Sequence, residues 1–470
     1  MTDTAPRQAT RTERDSMGEM EVPADALYGA STQRAVLNFP ISGRGLPPRF
    51  LHALALIKLA AAETNGGLGL LDDDVADAIA AAARDVADGA YDDQFPIDVY
   101  QTGSGTSTNT NMNEVLAHLA TERLGGRKVH PNDDVNRCQS SNDTIPTALQ
   151  LSAAIAIETD LLPALERLHT ALAAKEQAFW PIIKTGRTHL QDATPIRLGQ
   201  EFRGYAGQVE EGLRRARSAQ AELLAVPLGG TAVGTGITAH PEYAFRTCGR
   251  LSSLTGLTVR EAPNHFHAQQ TIDAAIAAHG AIRTIALSPW KIASDVRLMG
   301  TGPRAGIAEL ALPETQPGSS IMPGKVNPVI VESLTMVVAR VVGNDATIAF
   351  GQTGSFLELN VMLPVTATAL LESIELLSAA AANFSERCIE GLTATDRGPQ
   401  LVEQGLMLAT ALAPVIGYDE AAKLAKDALK SGRTIRELGL ERGLDPDELD
   451  RLLDPAAMTE PGLGGGPAGG

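Results

Sequence analysis

The chain is poor in the residues that mark most specialised chemistries. Its three cysteines, Cys138, Cys248 and Cys388, are odd in number, far apart and outside any CxxC pattern. That count and spacing exclude a disulfide framework. Three reduced thiols is the simpler reading, and a three-thiolate cluster assembled by the fold stays open. The nine histidines form no HExxH and no close ligand group, which leaves zinc without support. No run of about 18 apolar residues occurs, so no transmembrane helix is expected. The opening segment, MTDTAPRQATRTERDSMG, is polar and lacks the apolar core of a signal peptide. Together these features predict a cytoplasmic protein. Basic residues number 39 against 56 acidic ones, a formal net charge of −17. Such a balance speaks against nucleic acid or an anionic membrane as partner. An anionic substrate would have to be met by a few cations gathered at its site.

What the chain does have is alanine and helical periodicity. Aromatics make up only 4% of the residues, and abundant alanine favours helices that pack closely. LLDDDVADAIAAAARDVADG places acidic residues at a helix start and Gly89 at its stop. Helical patterns run from Ile145 to Phe179, with Pro163 as a kink or break, and over 198–224, 268–298, 329–348 and 365–390. Strand-like alternation is scarce and short. The reading is an all-α protein with a core of long helices. The end, TEPGLGGGPAGG, is of low complexity and expected to be disordered.

Four loop-like islands interrupt the helices: QTGSGTSTNTN (101–111), HPNDDVNRCQSSNDT (130–144), KTGRTHLQDATP (184–195) and QPGSSIMPGKVNP (316–328). They are not nucleotide motifs. Gly318 to Lys325 is one residue too long for a Walker loop, and Val326 follows the lysine. GGTAVGTG (229–236) lacks GxGxxG spacing and a preceding strand. His265 and His267 fall on a probable-loop pattern and read as surface residues. The islands concentrate hydroxyls, amides and one cation: Ser104, Thr106, Ser140, Ser141, Asn142, Thr188, Ser320, Asn327 and Lys325. A carboxylate can take about four hydrogen bonds, so this is the inventory a small dianion needs. Any one island alone is more often a solvated turn; their joint occurrence points to a site.

GSSIMPGKVNP resembles the signature loop of the fumarase/aspartase superfamily, and QTGSGTS, HPNDDVN, QSSNDT and GRTHLQDA are similar to the class II, metal-free fumarases within it. The likeness runs from ERDSMGEMEVPADALYGASTQRAV to GYDEAAKLAKDALKSGRTIRE, nearly the whole chain. It implies a three-domain helical fold, here 1–138, 139–395 and 396–470, with a long central bundle that packs four chains into a homotetramer. Each active site would then be built from three chains. The implied substrate is a small dicarboxylate, fumarate or malate, with no cofactor and no metal. Aspartate ammonia-lyases are the alternative, but they typically carry glutamine at His189, alanine near Ser104 and threonine near Ser141. A non-catalytic crystallin of the same fold would be signalled by loss of Ser319, Lys325 or His189, and all three are present. Tyr28, Tyr100, Cys138, Ile145 and His267 depart from the usual fumarase residues, none of them within the motif positions.

The resemblance also assigns roles. Ser319 matches the proton-abstracting base, Lys325 a cation on the reacting carboxylate, and His189, paired with Glu332, the donor on the leaving hydroxyl. Substrate would be bound by Ser104, Gly105, Thr106, Ser140, Ser141, Asn142, Thr188, Ser320, Lys325, Val326 and Asn327. Arg127, His130, Pro131, Asn132 and Asp133 match a second anion site outside the catalytic one. Read as residues alone, Glu332 could be a helix N-terminal acid, and Asn132 and Asp133 could cap a turn.

Overall fold

A computed structural model describes residues 9–462; the glycine-rich end beyond 462, expected to be disordered, lies outside the described residues. The chain opens with an antiparallel hairpin of β1 (Thr10–Asp15) and β2 (Gly18–Pro23). Helices α1 (Ala30–Asn38), α2 (Pro48–Gly67), α3 (Asp73–Ala87), α4 (Thr106–Arg123) and α5 (Ser141–Ala156) follow. A π turn, Ile157–Leu161, leads into α6 (Leu162–Phe179). The hairpin of β3 (Ile183–Thr188) and β4 (Gln191–Arg197) separates it from α7 (Leu198–Leu223). Next come α8 (Tyr243–Thr255), α9 (His265–Gln270), α10 (Asp273–Met299), α11 (Val329–Gly351) and α12 (Leu363–Phe384), which passes into a π turn at Ser385–Ile389. Shorter helices fill the chain from Arg397 to Leu452. The fold is mostly helical, as the periodicity implies, and the described strands pair only two by two.

The predicted helices differ from the observed ones where proline and caps intervene. The long 145–179 pattern is interrupted at 157–161, just ahead of Pro163, because a proline without an N–H is accommodated by widening the preceding turn. The 268–298 pattern divides at Thr271–Ile272. There Asn264, whose side chain accepts from the His267 N–H, caps the separate short helix α9. His265 and His267 therefore sit on a helix, not a loop.

Two helical stretches, 141–179 and 363–389, are long and apolar enough to cross a membrane. Their most apolar windows are 72% and 56% buried within the protein, which marks them as core helices.

Two compact units divide the chain. Of the described residues, the first comprises 9–163, 214–286 and 337–378. In it α2 packs against α3, α5 and α8 through small buried residues such as Ala53, Ala55, Ala60 and Ala61; such side chains let helix backbones approach closely. The second comprises 164–213, 287–336 and 379–462. It contains the β3–β4 hairpin and a C-terminal core in which Leu408, Leu412, Leu424, Ile435, Leu438, Leu449 and Leu453 converge.

Candidate active site

In the first unit, the hydroxyls predicted to bind substrate meet at two helix starts. Gly105, in the left-handed conformation at φ 70°, turns the chain into α4, and a Cβ there would lie 2.7 Å from Ile145. Ser104 Oγ lies 2.8 Å from Thr106 Oγ1, which is 2.8 Å from Ser141 Oγ on α5. Ser140 caps α5 in a capping box: its N–H is bonded to Asp143 Oδ1 at 2.9 Å, and its Oγ accepts from the Asn142 N–H at 3.2 Å. The two loops thus present a row of hydroxyls beside two helix N-termini, a setting suited to an anion.

A participant that sequence reasoning missed holds this row in place. Asp143 is fully buried, and its Oδ2 accepts the N–H groups of Gly229 and Thr231, each at 3.0 Å. Asn142 Nδ2 also donates to Ala232 O at 2.8 Å. The glycine-rich stretch rejected as a dinucleotide loop is therefore the wall behind the Ser140–Asn142 turn. Its signal in the sequence was Asp143 standing three residues after Ser140, at the second position of a capping box. Burial raises the Asp143 carboxyl above its ordinary value even against these hydrogen bonds.

In the second unit, the island expected as a loop at 184–195 is a β-hairpin. Thr188 pairs with Gln191, so His189 and Leu190 form its two-residue turn, at φ 55° and 58°. Both central residues are left-handed, as a hairpin turn that matches strand twist requires. Neither is glycine, and such conformations cost about 1–3 kcal/mol each, persisting where the surroundings enforce them. The Thr188–Gln191 closure enforces them, and a buried ion network anchors the strand that leads into the turn. Glu309 is 2% exposed and receives Arg187 through both guanidinium nitrogens, at 3.0 and 2.8 Å. Lys184 lies 3.0 Å from the same carboxylate and 2.9 Å from Glu201. The hairpin thus delivers the exposed His189 and Thr188 on a fixed stalk. Because breaking a buried pair leaves uncompensated charge, Glu309→Gln should cost about 3 kcal/mol in a denaturant titration.

The signature loop closes on itself. The Gly318 N–H bonds to Lys325 O at 2.9 Å, an approach so tight that a Cβ on Gly318 would sit 2.2 Å from that oxygen. Lys325 Nζ donates to Asn327 Oδ1 at 2.6 Å, and Asn327 Nδ2 returns 2.5 Å to Gly318 O. Ser319 Oγ accepts two backbone N–H groups, from Ile321 at 3.2 Å and Met322 at 2.9 Å. Ser320 and Val326 are exposed on the same loop, and Glu332 is exposed in the first turn of α11. His189 and Glu332 have no hydrogen bond or ion pair among the described residues.

The residues matched to a second anion site are not gathered around an open cation. Arg127 is held by Asp72 and Asp74 at 2.5 and 2.6 Å. His130 Nδ1 accepts the N–H groups of Asn132 and Asp133 at 3.3 and 3.1 Å, capping the turn that Pro131 opens.

Comparison with known proteins agrees with these loops. A family model described as lyase matches residues 18–343, and one described as fumarase C C-terminus matches 408–460. A protein of Methylorubrum extorquens named fumarate hydratase class II is 51% identical over 97% of this chain and 98% of its own. One of the same name from Mycobacterium tuberculosis is 52% identical over 96% of each. The chain belongs to the class II fumarate hydratases. The crystal structure of class II fumarase from Schistosoma mansoni superposes with a TM-score of 0.94 at 38% identity, covering 96% of this chain and 99% of that one.

No three His, Cys, Asp or Glu side chains among the described residues converge as metal ligands would, and the three cysteines are buried and unpaired.

Proposed function

We propose that this fumarate hydratase chain interconverts fumarate and (S)-malate, a step of the tricarboxylic acid cycle, as a cytoplasmic homotetramer whose active sites each combine islands from three chains. Dehydration removes a proton from the carbon beside one carboxylate and expels hydroxide from its neighbour. Ser319 takes the proton, and the electron pair spreads into the carboxylate as an aci-carboxylate dianion. Lys325, Asn327, Ser320 and the loop N–H groups, including that of Val326, stabilise this charge. His189, steadied by Glu332 and acting through a water, protonates the departing hydroxyl. Histidine suits that task because it exchanges protons near neutral pH. Ser104, Gly105, Thr106, Ser140, Ser141, Asn142 and Thr188 hold the substrate's carboxylates and hydroxyl. Arg127, His130, Pro131, Asn132 and Asp133 stay outside the chemistry, and an anion there would have to displace Arg127 from Asp72 and Asp74.

The single observation that most supports this reading is Ser319 Oγ accepting two N–H groups in the loop that carries Lys325. A serine oxygen so solvated is prepared to hold negative charge. For the tetramer, the support is an apolar face left open on α11: Met336, Val342 and Phe350 are exposed there, and a face of that kind calls for a second copy. The assay is fumarate absorbance appearing from (S)-malate in the presence of chelator, alongside ammonia release from aspartate. Fumarate without ammonia is expected. Ammonia release at a comparable rate would assign the chain to the aspartate ammonia-lyases instead.

A further inference from the structure

Helix α2 carries a lysine that the proposed mechanism does not use. Lys58 is fully buried, and its Nζ donates not to a carboxylate but to two amide oxygens, Asn136 Oδ1 at 3.0 Å and Gln139 Oε1 at 2.9 Å. Burial pushes its ammonium down to about 7, with the Asp143 charge acting in the opposite direction. Burying such a group is costly unless its hydrogen bonds offset the lost hydration.

Those hydrogen bonds reach the segment just before the substrate turn. Asn136 Oδ1 also accepts from Asn109 and Asn113 of α4, at 3.1 and 3.2 Å. Asn136 Nδ2 donates to Gln139 O at 3.1 Å. Gln139 Nε2 closes the turn from inside on Val135 O and Arg137 O, each at 3.1 Å. Two turns further along α2, Asn65 Nδ2 holds Arg137 O at 3.0 Å. Cys138, between them, is forced to φ 61°. The pegs thus run from α2 and α4 into residues 136–139, and Ser140, Ser141 and Asn142 come next. Asp143, immediately beyond, is fastened from the far side by Gly229 and Thr231.

We propose that Lys58 is a positioning residue for the substrate site: through Asn136 and Gln139 it fixes the Ser140–Asn142 turn against the Ser104–Thr106 start of α4, and so sets the affinity for the dicarboxylate. This rests on the functional reading above. It separates binding from chemistry, because the groups proposed to move protons, Ser319 and His189, lie on other segments. Loss of Lys58 should weaken ground state and transition state alike, which raises KM and leaves kcat in place.

The test compares the full-length wild type with Lys58→Met, which keeps an unbranched apolar stem and removes the donors, and Gln139→Met, which removes one acceptor. Each is assayed with (S)-malate and titrated with succinate, a four-carbon dicarboxylate that cannot be dehydrated. KM and the succinate Kd are expected to rise together by about tenfold or more, the equivalent of one lost charge-assisted hydrogen bond, with kcat within about threefold of wild type. A folded Lys58→Met with wild-type KM and Kd, or one that loses kcat alone, would overturn the proposal. If Lys58→Met does not fold, Gln139→Met decides in the same way. A wild type that makes no fumarate would sink the functional reading instead, while succinate binding would still report on Lys58.

Discussion

Ser319→Ala is expected to lower kcat for malate dehydration by about three or more powers of ten, at or beyond the ordinary range for a general base. The oxygen it removes is the one that accepts the Ile321 and Met322 N–H groups. An ordinary serine hydroxyl is far too weak a base to take a proton from carbon. Two N–H dipoles on that oxygen lower the cost of its anion, and Lys325 adds an ammonium to the same loop. Substrate affinity should change little, because Lys325, Asn327 and Ser320 remain. Ser320→Ala, by contrast, should cost about 10²–10³ in kcat, the loss of a single donor to developing charge. Steady-state kinetics joined to direct measurement of inhibitor binding separates the two. If Ser319→Ala keeps a tenth of the wild-type kcat, the base lies elsewhere and the loop only grips a carboxylate.

His189→Asn is expected to remove about 10²–10⁴ of the rate, the usual contribution of a positioned proton donor. Asparagine tolerates the left-handed backbone that His189 adopts, so the turn should survive and the loss should report on proton transfer. His130→Asn should leave most activity. That imidazole is occupied in capping its own turn through Nδ1, and an asparagine oxygen can also cap a turn. The pH profile of kcat gives the second readout. The limb assigned to the proton donor should vanish in His189→Asn and persist in His130→Asn. Equal losses in the two variants would mean that both histidines serve one site.

The helices were legible wherever one periodic face was uninterrupted. Asp72 to Gly89 reads as acidic start, alanine body and glycine stop, and α3 occupies Asp73–Ala87. Positions where backbone geometry competes with side-chain pattern were not legible. Nothing in the pattern marks His189–Leu190 as a hairpin turn, because turn signals depend on glycine or asparagine, and here strand pairing on a hairpin anchored by Glu309 sets two ordinary residues in that conformation. The hydroxyl islands were legible through their composition. Their supports were not, since Lys58, Asp143 and Glu309 act through contacts 78 or more residues distant in sequence. A buried lysine within an alanine-rich helix looks, in one dimension, like any surface lysine.

The three cysteines have a bearing on the enzyme's own chemistry. Fumarate is an electrophile: a thiolate can add to one alkene carbon while a proton fills the other, leaving a permanent succinyl thioether. Only the thiolate reacts in this way. Burial raises the Cys138 thiol and pushes those of Cys248 and Cys388 up to about 12, and all three are closed off from solvent. A catalyst that spends its working life beside this alkene therefore offers its substrate no exposed thiol to alkylate.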